Sequence, residues 1–395
     1  MRKRPYTPVD GVSNIELFYD LIFVYCISVI TSLMHHVEGS FPTVETWVIY
    51  LFTFLVVLQV WFFTTLLINR YGDRSASDNI CLFVNMFLLY FLSTGIQSDW
   101  AETAFTFNAS WALILTNLLV HWVIKLVSYD NLDEDDRGIM RTVITVLSTE
   151  LAFVTAAVFL EGMPGVIVTY IAIIFSFSAF SIPAFYRRIF RNKPAQFGHL
   201  AERCALLTIV AFGETIVTIS SYMVTGLSMV YSALVFALVV GLFLIYIFEH
   251  DNMLDHHMAT DGLSFTSITV WMILIIGNLT VALEFMTMEH IAFLPKSIYL
   301  MMCLILYLLT SFMLGRYNRP EFHWSPAYIA GRFGVCAFVF AGAFATDFDP
   351  TVTLVIDVIA VWFALWHEWL LYHRRMKLVM FGRSLGLEED EEESS

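Results

Sequence analysis

Charge is scarce in this chain. Lys, Arg, Asp and Glu supply 14% of its 395 residues, against about 25% in a soluble globular domain. Apolar side chains fill 58%, and the mean hydropathy is +0.72. That balance excludes a water-soluble globular protein and implies an integral membrane protein with little mass outside the bilayer. Cysteine is also sparse. Cys26, Cys81, Cys204, Cys303 and Cys336 lie singly inside apolar runs. Without a C-x-x-C pair, neither a disulfide framework nor a zinc site is expected. The net charge of −14 comes largely from the tail Glu388–Glu393 and the loop Asp130–Asp136. No basic patch suits nucleic acid. No Ser-His-Asp order, H-E-x-x-H, P-loop or G-x-G-x-x-G after a strand occurs, so neither an enzyme nor a cofactor is expected. The first apolar run opens with Glu16 and Asp20 and lacks a small-residue cleavage site, so no signal peptide is expected.

What the chain has in abundance is apolar runs of about 20 residues, the length that crosses a bilayer as a helix. They lie near 15–35, 44–68, 78–97, 108–128, 140–160, 164–186, 203–224, 227–248, 263–285, 297–316, 326–346 and 350–373. The fold expected is an all-α polytopic membrane protein of about twelve transmembrane helices. Basic loop residues set the orientation. With Arg2, Lys3 and Arg4 inside, the loops holding Arg70, Arg74, Arg137, Arg141, Arg187, Arg188, Arg191, Lys193, Arg316 and Arg319 also fall inside, as do Arg374, Arg375, Lys377 and Arg383. Of the 21 basic residues only Lys296 falls outside, and Lys125, Arg203 and Arg332 fall in or at the edges of spans. Both termini are therefore expected in the cytoplasm, with the chain in the cytoplasmic membrane.

An offset of about 186 residues superposes the spans of one half on the other, which predicts two parallel six-helix repeats. The expected division is 1–190, 191–380 and a disordered acidic cytoplasmic tail at 381–395.

Polar residues inside the spans carry the functional signal, because intramembrane ionisable groups are costly unless paired, protonated or facing water. The stretch His199–Thr225 reads as a span with Glu214 at its middle, and Arg203, Glu214, Thr218, Ser221 and Thr225 share one helical face. Glu16 and Asp20, four apart, share a face at the start of the first span, and the pairing expected is Arg203 with one of them. Glu16, Asp20, Glu202 and Arg203 form an expected cytoplasmic-side charge cluster. Asn117, His121 and Lys125 make a further stripe. Glu150, Asp357 and Arg332 lie within other spans, with Glu368 on the face of Asp357. Glu214, Glu150, Asp357 and Arg332 are the expected transport or ion-coupling residues. The segment Glu249–Asp261 is rich in His and acid, but its spacing fits no standard metal site and a solvated loop is expected.

Two stretches also carry a family resemblance. ELFYDLIFVYCIS (Glu16–Ser28) and ERCALLTIVAFGETI (Glu202–Ile216) resemble the two signatures of the bacterial low-temperature-requirement A (LtrA) family. The matching positions are Glu16, Phe18, Asp20 and Phe23, then Glu202, Arg203, Gly213 and Glu214. Cys204-Ala205 stand where the family has Phe-Gly, and Thr215 where it has Ser. The resemblance implies a polytopic bacterial membrane protein linked by name to growth in the cold. It implies no substrate.

Together these readings predict a secondary transporter or ion pathway using intramembrane carboxylates. Its expected partners are membrane lipid and a small solute or ion of unknown identity, with a homo-oligomer compatible. The competing expectation is a non-transporting sensor or assembly factor acting through the acidic tail.

Overall fold

The computed structural model describes residues 11–35, 41–96, 100–160, 162–181, 190, 193–223 and 229–384. Among them are twelve α-helices. They are α1 (Asn14–Ser32), α2 (Val44–Tyr71), α3 (Ala76–Thr94), α4 (Trp100–Ser128), α5 (Glu134–Phe159), α6 (Met163–Ser181), α7 (Phe197–Met223), α8 (Met229–Asn252), α9 (Leu263–Thr287), α10 (Phe293–Leu314), α11 (Pro326–Ala345) and α12 (Pro350–Ser384). Eleven are long and apolar enough to cross a membrane. In α6 the described apolar stretch, Met163–Ala179, is shorter, and the far end of its expected span lies outside the described residues. The protein is thus an all-α, multi-pass membrane protein. The acidic segment beyond 384 and the N-terminal basic residues lie outside the described residues.

The helix ends follow from local chemistry. Ser13 caps α1 through a reciprocal box: its hydroxyl accepts from the Glu16 N–H, and Glu16 Oε1 accepts from the Ser13 N–H, each at 3.2 Å. Ser75 caps α3, Asp133 caps α5, and Ser325 followed by Pro326 opens α11.

The chain divides into two compact units: 1–214 with 256–281, and 215–255 with 282–395. The halves expected at 1–190 and 191–380 are a different division of the chain. In the first unit α1 packs on α2 and α3, α3 on α4, α4 on α5 and α5 on α6. Most of α9 belongs here as well. A side chain at Gly277 would meet the Phe54 ring of α2 at 2.7 Å, so glycine permits this close approach. In the second unit α12 packs against α8, α10 and α11. There Gly241 of α8 leaves room for Val361 of α12.

Candidate functional site

Buried ionisable groups gather at several places, and each gathering lies within one unit. The largest in the first unit centres on Arg203, which is fully buried. Its guanidinium grips Asp20 with two donors, Nη2 to Oδ1 at 2.6 Å and Nε to Oδ2 at 3.0 Å. Its Nη1 donates to Glu16 Oε2 at 3.1 Å. This forked geometry is the strong form of the arginine–carboxylate bond. The Trp61 indole N–H donates to Asp20 Oδ1 at 3.0 Å, and the ring lies 6.0 Å from the guanidinium carbon. The expected pairing of Arg203 with Glu16 or Asp20 therefore occurs with both.

His199 completes the cluster and was not anticipated. Its Nε2 lies 3.0 Å from Glu16 Oε2. The tautomer follows from Asn69, whose amide is pinned by two bonds to the Gln196 backbone. The Asn69 Nδ2–H then faces His199 Nδ1 at 3.2 Å, so Nδ1 accepts and the proton sits on Nε2, pointing at Glu16. Glu202, expected in the cluster, is exposed instead. It follows one residue before Arg203, so the helix turns it about 100° away from that face.

The Asn117–His121–Lys125 stripe of α4 meets α3. Asn117 bonds Asn85 at 2.8 Å, and His121 lies 2.8 Å from Asp78. Lys125 reaches Asp78 at 2.5 Å and Asp73 at 2.6 Å. Burial alone would raise the Asp73 carboxyl, but the bonds from Lys125 and Ser75 hold it well below the usual carboxylate range. Arg74 beside it takes a positive φ of 52° and donates to the Gly11 carbonyl at 2.6 Å. A cavity of about 20 Å³ is lined by Glu16 and His199 of the first cluster and Asp78 of the second, with Arg74 on its wall. At the start of α5, the Asp136 N–H and then Lys193 lower the Asp133 carboxyl, while Asp133 raises Lys193 in turn.

A different kind of site surrounds Glu150, which is wholly buried in α5. Gln59 Nε2 of α2 donates both to Glu150 Oε1 and to Ser176 Oγ of α6, the latter at 2.9 Å. No basic side chain pairs with Glu150 among the described residues. Glu150 Oε2 and Gln59 Oε1 have no hydrogen-bond partner.

In the second unit Arg332 lies between Glu249 of α8, at 2.8 Å, and Glu368 of α12. The Tyr328 hydroxyl donates to Glu249 Oε1 at 2.5 Å, and Ser311 donates to its Oε2 at 2.8 Å. Glu249, expected in a solvated loop, is buried in the last turn of α8. Asp357 shares a face with Glu368 but lies about 16 Å further along the axis, at 1.5 Å per residue. It is fully buried, and both of its carboxylate oxygens lack a partner. Among the described residues, no three His, Cys, Asp or Glu side chains gather as a metal site would require.

Glu214 is buried in α7 next to buried Thr215, while Gly213 is exposed. The other members of its expected stripe divide. Thr218 is half-buried, the Ser221 side chain lies outside the described residues, and so does Thr225.

The family model for the bacterial low temperature requirement A protein (LtrA) matches residues 11–365. The chain belongs to the LtrA family. The match takes in the chain from Glu16 of α1 to Asp357 in the first half of α12 and ends before Glu368. Among curated proteins, none matches the chain.

Proposed function

We propose that this LtrA-family protein is a secondary transporter or ion pathway whose coupling ion acts at buried carboxylates. One observation carries the reading. Glu150 and Asp357 are fully buried in membrane-spanning helices, yet Glu150 keeps one carboxylate oxygen and Asp357 both without a donor, and neither has a basic partner among the described residues. A charged group so placed costs several kcal/mol unless a proton or cation joins it. A purely structural acid is expected to find a partner, as Glu16, Asp20 and Glu249 do. In this proposal Glu150 and Asp357 bind and release the coupling ion. Glu214 is the further buried acid, from α7. Arg203 with Glu16 and Asp20 anchors the end of the first unit that faces the cytoplasm, given the concentration of basic residues in the loops on that side. Arg332 supports the second unit. The setting is the cytoplasmic membrane of a bacterium, and the activity is one needed for growth in the cold.

The test is flux of protons and of monovalent cations into proteoliposomes, comparing wild type with Glu150→Gln and Asp357→Asn. Flux in wild type that falls at least tenfold in both variants is expected. Flux unchanged in both variants, or none for any ion with folded wild type, contradicts the proposal. Growth of a deletion strain at low temperature, complemented by wild type but not by the variants, tests the link to cold.

A further inference from the structure

The Gln59–Glu150–Ser176 site has a shape and donor set that narrow its ligand. Three features bear on this. The first is chemical. Glu150 Oε2 and Gln59 Oε1 are buried acceptors without donors, and one acceptor cannot satisfy another. Something carrying positive charge or a hydrogen must sit against them.

The second is space. A small cavity lies against Gln59 and Ser176, the two side chains that join Glu150, and is lined further by Ser267 among apolar walls that include Leu58, Phe62 and Val270. The room open to the centre of a water-sized sphere is about 20 Å³. That suffices for one water or an ion of similar size. It excludes a sugar, an amino acid or any solute much larger than water.

The third is charge. When ionised, Glu150 contributes one negative charge, and among the described residues no Lys, Arg or His forms an ion pair with it. A monovalent cation neutralises it. A divalent ion would leave a net positive charge buried at low dielectric, which is strongly disfavoured. The oxygens present (carboxylate, amide carbonyl and two hydroxyls) are the hard ligands that alkali cations take. A proton alone would neutralise Glu150 but would make no use of the Ser267 hydroxyl or of the cavity beside it.

We infer that the cavity bounded by Gln59, Ser176 and Ser267 beside Glu150 binds one small, largely dehydrated alkali cation, with sodium the best fit. The inference deepens the transport proposal and rests on it for its consequence, though binding itself is separable from transport. Four helices of the first unit supply the ligands: α2, α5, α6 and α9. Occupation would therefore tie together elements distant in sequence, which stabilises the folded state by mass action.

The experiment uses the purified full chain in nanodiscs. Thermal unfolding midpoints are measured against NaCl, LiCl, KCl and choline chloride at constant ionic strength and at several pH values. A midpoint that rises with sodium or lithium and saturates, but stays flat in choline, is the expected result. The rise should vanish in Glu150→Gln. In Ser176→Ala, which leaves the carboxylate in place, the half-saturating sodium concentration should increase about tenfold. Equal responses to sodium and choline overturn the inference, as does a sodium response retained in Glu150→Gln. A response to pH alone, absent for every alkali ion, also overturns it and leaves a proton as the coupling ion of the transport proposal. Saturable sodium binding without flux in proteoliposomes would uphold the site and overturn transport.

Discussion

The Arg203 cluster and the Glu150 site lie in the same unit and use the same residue types, but they are finished to different degrees. Around Arg203 all four oxygens of Glu16 and Asp20 receive hydrogen bonds, from Ser13, His199, Trp61 and the guanidinium. Around Glu150 one carboxylate oxygen and the neighbouring amide oxygen receive none. A network with every atom matched holds helices in register and has nothing left to bind. A buried site with unmatched acceptors is stable only with a guest. The Arg332 cluster falls between the two: Glu249 is matched by Tyr328, Ser311 and Arg332, but Arg332 Nη1 and Glu368 Oε2 are not.

This contrast orders the effects of substitution. The largest is expected for Arg203→Ala, which strands two buried carboxylates. Removing one partner of a buried pair costs about 3–5 kcal/mol. The measurement is the yield of folded protein and its melting midpoint, and a variant as stable as wild type would break the distinction between lock and site. A sharper form replaces the whole group. Arg203→Met with Glu16→Gln and Asp20→Asn should recover much of the stability, because no charge is then left unpaired.

Arg332→Ala should cost less, about 2–3 kcal/mol, since it strands one buried carboxylate, Glu368, while Glu249 keeps its bonds from Tyr328 and Ser311. Equal losses for Arg203→Ala and Arg332→Ala in parallel melts would erase the ranking of the two clusters.

His199→Ala removes one donor to Glu16 and leaves Asn69 facing a void. About 1–2 kcal/mol of lost stability is expected from chemical denaturation, on the scale of one buried hydrogen bond to a charged group. A loss as large as that of Arg203→Ala would mean that the histidine, rather than the arginine, anchors the cluster.

The smallest effect concerns pH. Asp73 lies between α2 and α3, with its carboxyl held below the usual range. A group of lowered folded pKa contributes stability that is complete above its unfolded value, near 4, and is lost as pH falls through the folded value. Stability should therefore decline on the acid side below about pH 4. Asp73→Asn should flatten that limb while leaving neutral-pH behaviour nearly unchanged. An identical acid limb in the variant would show that the decline comes from other carboxylates.

The helices were legible because a run of about 20 apolar residues has few alternatives in a bilayer. The expected spans and the observed helices agree within a few residues at most ends, as 263–285 does with Leu263–Thr287. The longest departures occur where helices continue past the apolar stretch on polar residues, as α12 does through Arg374, Arg375 and Lys377. The pairing of Arg203 with Glu16 and Asp20 was legible because two acids four apart need a cation. His199 carried a readable signal too, four residues before Arg203 on the same face. Gln59 and Trp61 did not. Periodicity tells which side of a helix is polar, but not which other helix faces it. Glu249 was misplaced because its hydrophilic neighbours, Asp251, Asp255 and His256, dominate the local composition, whereas one buried acid at a helix end changes it little.

The most direct test of the contrast measures two properties of one variant, Glu150→Gln, beside wild type. The melting midpoint is taken in sodium-free buffer, and ion flux is taken in proteoliposomes. A midpoint equal to or above wild type is expected, because an unmatched carboxylate has been replaced by a neutral amide, together with flux reduced at least tenfold. A midpoint that falls as it does for Arg203→Ala, or flux that is unchanged, would contradict it and make Glu150 one more structural acid.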